Sequence, residues 1–96
     1  MAKVQVLFFP LACGWFTIRT VDDVRKHRTG YFQVADFEVD LKGEAAAEEA
    51  FDRSNNPGRI IARVDTFGNK RSVIVGDIVV VDGVEYACMP AGWEKV

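Results

Sequence analysis

Cys13, Cys88 and His27 are the side chains of this 96-residue chain best suited to nucleophilic or metal chemistry. A nucleophile needs a base within hydrogen-bond reach and a third group to orient that base. His27 lies in the run Arg25-Lys26-His27-Arg28, where neighbouring positive charge disfavours the imidazolium and nothing places the ring beside a thiol. Two distant cysteines without CxxC spacing and a single histidine do not make a zinc site, and no acidic loop has the calcium-ligand pattern. The glycines are scattered singly, which argues against a phosphate-cradling loop. Glu48 and Glu49 are neighbours on a helix-forming segment, where successive side chains diverge. The expectation is a protein that is not an enzyme, with no catalytic residue, metal or cofactor.

Charge is distributed unevenly along the chain, although the formal net charge is only −2. From Asp36 to Asp52 there are seven acids against Lys42, and from Arg53 to Arg71 five bases against Asp65. Segregation of this kind can steer association with a charged partner, although folding can also interleave the two segments. The plainer reading is a set of solvated faces.

Several elements must carry these groups. Lys3 to Phe9 alternates as a strand that Pro10 ends, since proline cannot donate to a ladder. Trp15 to Val21 reads as a second strand. Thr20 or Asp22 would cap a helical turn running to Arg28 and closed by Gly30. Tyr31 to Leu41 is a third strand with an odd step at Ala35-Asp36, which predicts a bulge or kink there. Glu44 to Arg53 is an alanine-rich helix with Ala47, Ala50 and Phe51 on one face and Glu44, Glu48 and Asp52 on the other, ended by Ser54-Asn-Asn-Pro-Gly58. Ile60 to Phe67 reads as a strand, followed by a turn at Gly68-Asn69. From Ser72 onward the chain reads as a β-hairpin module. Gly76-Asp77 turns, and the unbroken Ile78–Val81 run predicts a central strand covered on both faces. Asp82-Gly83 then makes a two-residue hairpin turn, Val84 to Met89 returns, and Pro90-Ala-Gly92 leads to Trp93–Val96.

The hydrophobic fraction of 49% suits a folded globule. No apolar run approaches the roughly 20 residues needed to span a bilayer. The first residues, up to Cys13-Gly14, have a loose likeness to a lipoprotein signal, but Gln5 and Pro10 interrupt the apolar stretch and a strand is the better reading. Two thiols suit a reduced, cytoplasmic setting.

The order Phe51, Asn55-Asn56-Pro57, Arg71-Ser72-Val73-Ile74-Val75-Gly76-Asp77-Ile78-Val79, Tyr86 and Gly92-Trp93 resembles the YodL-like domain of phages, plasmids and conjugative elements. The likeness covers about the last half of the chain, and the segment from Arg59 to Arg63 departs from it. It implies a mobile-element context and no particular reaction. Within the motif, Gly76 should adopt a backbone conformation closed to other residues, and the Asp77 carboxylate should accept turn N–H groups.

Together these readings predict one α+β domain over residues 1–96: a small, mostly antiparallel twisted sheet or partly open barrel with one main helix and a C-terminal β-meander. The expected function is that of a phage or plasmid accessory protein that binds a host or element protein, in its most concrete form by inhibiting a host defence factor. The residues expected to face the partner are Glu44, Glu48 and Asp52 on the acidic helix, Arg59, Arg63 and Arg71 in the basic segment, and Trp93. The alternative is a nucleic-acid-binding regulator that uses Arg59–Arg71 against phosphates, with Phe67 for stacking; the acidic helix opposes it. A homodimer through an exposed apolar β edge fits either reading.

Overall fold

Val4, Val6 and Phe8 alternate with Lys3, Gln5 and Leu7, and Ala2–Phe8 is strand β1 of the computed structural model, which describes residues 1–10 and 20–96. Cys13 and most of the strand expected at Trp15 to Val21 lie outside the described residues; Val21 itself opens helix α1 (Val21–His27). Thr20 caps that helix as its sequence predicts. The hydroxyl accepts from the Asp23 backbone N–H, and the Asp23 carboxylate accepts from the Thr20 backbone N–H. A 3₁₀ turn (Arg28–Gly30) then leads into strand β2 (Phe32–Val39). Helix α2 (Gly43–Asn55) follows, and the 3₁₀ turn Pro57–Arg59 runs directly into helix α3 (Ile60–Phe67). The chain ends in the meander β3 (Ile78–Val81), β4 (Val84–Met89) and β5 (Gly92–Lys95).

The five strands form one antiparallel sheet in the order β2-β1-β3-β4-β5. The sheet does not close, and the architecture is α+β. All four residues of β3 are buried, as an uninterrupted β-branched run requires of a strand covered on both sides. Val4, Val6, Phe8, Val79, Val81, Tyr86 and Cys88 face α2 and α3, where they meet Ala46, Ala47, Ala50 and Phe67. Leu7, Ile78, Val80, Ala87 and Met89 face the other way, towards Phe9 and Val24 of α1. The β3–β4 hairpin turns on Asp82 at φ +49° and Gly83 at φ +85°, two positive values that suit the right-handed twist of the flanking strands. The irregularity expected in β2 falls slightly earlier than Ala35-Asp36. Val6 pairs with Ala35 and Leu7 with Gln33, so Val34 is the extra residue, and it lets Ala35, Phe37 and Val39 share the face that packs on α2 and α3.

Two expectations are corrected. Ile60–Phe67 is a helix, not a strand. Its β-branched residues favour a strand only where a pleated surface packs them. Here the Asn56 side chain accepts from the Gly58 N–H and Pro57 presets a helical start, while Phe67 at the end of the helix is buried in the core. The hairpin module also begins later than Ser72. Ser72–Val75 has no strand pairing, because its polar groups are taken by the end of α2: Ser72 Oγ donates to the Ser54 carbonyl (2.7 Å), Ser54 Oγ accepts the Val73 N–H (3.0 Å), and Asn55 Nδ2 donates to the Val73 carbonyl (3.0 Å).

Candidate protein-interaction surface

Folding interleaves the charges that the sequence separates. Arg59 reaches back to α2, where it donates to both Glu49 oxygens (2.9 and 2.8 Å) and to Asp52 (2.8 Å). Arg53 donates to Glu49 as well (2.8 Å) and lies over the Phe37 ring at 4.3 Å. The Arg59 guanidinium, assisted by Arg53, pulls the Glu49 carboxyl down from its ordinary 4.5 to about 2. A carboxylate depressed in this way stabilises the fold above its ordinary pKa and loses that contribution as it is protonated. Stability should therefore fall between about pH 5 and pH 2, with Glu85, lowered by its hydrogen bond from Arg28, adding in the same direction. Glu49→Gln should cost about 1 kcal/mol at neutral pH, a modest figure because screened pairs are weak. It should also flatten the acid limb of a melting-temperature profile; an unchanged profile would assign the acid sensitivity elsewhere.

Arg71 is held more deeply. Its guanidinium donates to both oxygens of Asp77 (2.6 and 2.9 Å) and to the Phe9 carbonyl (3.3 Å), and it stacks 3.9 Å over the Phe8 ring. Asp77 is fully buried and also accepts the N–H groups of Phe9 (2.8 Å) and Ile74 (2.9 Å). Gly76, at φ +100°, supplies the turn that aims this carboxylate inward, and Tyr31 donates its hydroxyl to the Gly76 carbonyl. Burial, with the Asp77 charge behind it, raises the Tyr31 pKa, so the hydroxyl remains a donor. Arg71 is thus part of the internal framework.

The remaining expected site residues divide. Arg63 donates to the Lys70 carbonyl (3.0 Å), and its buried Nε has no partner among the described residues. Glu44 is exposed in the first turn of α2. Glu48 and Trp93, 45 positions apart in sequence, meet: the indole Nε1–H donates to a Glu48 oxygen at 2.9 Å. Glu48 and Glu49 diverge, one towards Trp93 and the other towards the arginines. Phe51 packs edge-to-face on Trp93 with ring centroids 6.4 Å apart. Glu48, Phe51 and Trp93, with Val75, Cys88 and Pro90, line an open groove of about 250 Å³.

The surface that the sequence reading missed is on α3. Ile60, Ile61 and Val64 are 68%, 75% and 58% exposed, while Phe67 is the helix's buried residue. At about 100° per residue Ile60, Ile61, Val64 and Phe67 share one arc of the helix, whose C-terminal end enters the core at Phe67 while its first part, Ile60 to Val64, faces solvent. Read as a strand, the segment hides this stripe; the spacing i, i+1, i+4 after an Asn-Pro start was the available signal.

Cys88 and His27 lie on opposite sides of the sheet. Cys88 packs on the face towards α2, and His27 packs edge-to-face on Phe9 on the other side, with ring centroids 5.6 Å apart. Burial, then the charges of Asp77 and Glu48, push the Cys88 thiol up to about 12, which keeps it protonated at neutral pH. Among the described residues no helix is long and apolar enough to cross a membrane. Comparison with family models, with curated proteins and with solved structures returns no match for the chain.

Proposed function

We propose that the protein acts without catalysis, by binding another protein through the exposed face of α3. The observation that carries this reading is the cluster of Ile60, Ile61 and Val64 turned to solvent on one short helix. Three such side chains present roughly 300 Å², the size at which an apolar patch on a small monomer is commonly functional. An apolar helix face seats in a complementary groove of a partner, with anchors at helical spacing. The engagement of Arg59 and Arg71 by carboxylates of their own chain favours a protein over a nucleic acid, because neither guanidinium is left open to phosphates. Inhibition of a host defence factor by a phage or plasmid accessory protein is the concrete form; it rests on the likeness of the C-terminal half to the YodL-like domain.

The test compares the wild type with Ile61→Asp/Val64→Asp, whose changes lie on solvent-facing positions and leave the core intact. A stoichiometric protein partner should be retained from host lysate by the wild type and lost by the variant. Equal retention by both, or no partner for either, would overturn the reading. A wild-type dimer in light scattering that the variant converts to monomer would assign the face to a second copy instead. A low-salt gel shift by micromolar protein would favour the nucleic-acid alternative; none is expected.

A further inference from the structure

We infer that the groove between α2 and β5 is a recognition pocket for a cationic side chain, lysine or arginine, of a protein partner. It is separate from the α3 face and does not depend on it. Three features of the groove point to this ligand class.

The first is an uncompensated charge. Glu49 and Asp52 on α2 are each paired with an arginine, whereas Glu48 is held by the neutral indole N–H of Trp93. A neutral donor fixes the carboxylate at the mouth of the groove and leaves its negative charge for an incoming group. Among the described residues no base pairs with Glu48.

The second is the wall. Trp93 is half-buried and positioned by two contacts, the hydrogen bond to Glu48 and the edge-to-face packing on Phe51. Its ring is therefore presented as a rigid surface. Indole is the best aromatic partner for an ammonium or guanidinium, and a ring beside a carboxylate attracts the same ion twice.

The third is the floor. Val75, Cys88 and Pro90 give an apolar bed, and the protonated thiol of Cys88 behaves there as a small hydrophobe. A lysine or arginine carries a methylene stem that suits such a bed while its head stays at the polar rim. The groove holds about 250 Å³, below the roughly 300–1,000 Å³ of pockets for whole small-molecule ligands. A side chain matches that size better than a cofactor does.

The probes are the N-acetyl methylamides of lysine, arginine and norleucine, the last having the stem without the charge. Trp15→Phe leaves Trp93 as the single indole, whose Nε1–H resonance reports directly on the pocket. Lysine and arginine derivatives should shift that resonance saturably with dissociation constants in the millimolar range, about the strength of a cation–π contact and a charge-assisted hydrogen bond together. The shift should weaken as salt is raised. Glu48→Gln keeps an acceptor for the indole and removes the charge; it should weaken binding about tenfold while the free-protein spectrum elsewhere stays the same. No shift at saturating probe, an equal response to norleucine, or undiminished binding by Glu48→Gln would each overturn the proposal.

Discussion

Asp77→Ala should cost about 3–5 kcal/mol, because it leaves a partly buried cation and buried N–H groups without their acceptor. The carboxylate serves four donors from two segments: one from Phe9, just past β1, and three from the stretch ahead of the turn, two of them from Arg71 and one from Ile74. A domain of this length has a total stability of about 5–15 kcal/mol. The variant should therefore be severely destabilised, with its urea midpoint shifted far down or absent. Arg71→Met gives a measurable counterpart, since it removes the charge and keeps the stem that lies on Phe8. The double variant should lose less than the sum of the two single losses, because the guanidinium that Asp77→Ala strands is then gone. Strict additivity, or a loss under 1 kcal/mol for Asp77→Ala, would mean that the network does not hold the β1 end to the β3 start.

Phe67→Ala should be of similar size, about 3–5 kcal/mol, and more local in its consequences. Phe67 is 1% exposed and is the buried residue of α3, so its ring is the main apolar tether of that helix to the sheet. Removing it leaves α3 attached by polar contacts, chiefly the Arg59 bonds to Glu49 and Asp52 and the Arg53 bond to Thr66 (3.4 Å). Amide protons of α3 should then exchange much faster than those of β3, and the binding proposed for the α3 face should be lost alongside. Ile61→Ala is the control. At 75% exposure it should change stability by no more than about 0.5 kcal/mol. Uniform loss of protection in Phe67→Ala would show that α3 is not a separable unit.

Much of the framework was legible in the residues themselves. Alternation in Lys3–Phe9, the alanine-rich face of α2, the Thr20 cap and the Asp82-Gly83 turn are local features, set by side-chain period and backbone preference within a few residues. The Gly76-Asp77 pair was legible too as a turn that needs positive φ and offers a carboxylate to nearby N–H groups. The bulge was anticipated to within a residue because a break in period-two patterning has to be absorbed near where it occurs.

The candidate surface was less legible, for a physical reason. Whether Ile60–Phe67 is helix or strand turns on the cap at Asn56, the reach of Arg59 to α2 and the burial of Phe67, and β-branched content alone pointed the wrong way. Glu48 and Trp93 were each singled out, but their meeting depends on the β4–β5 turn bringing the last strand beside α2.

By itself, then, the sequence determined the α+β class, the central β3, the meander and the acidic helix, since each follows from interactions between near neighbours. Only the tertiary structure decided which charges are spent internally and which remain open. Among the described residues Arg59 and Arg71 are consumed, Glu48 is held by a neutral donor and paired with no base, and Ile60, Ile61 and Val64 of α3 face out. Charge pairing and exposure depend on distances between segments far apart in the chain, and composition along the chain carries no record of those distances.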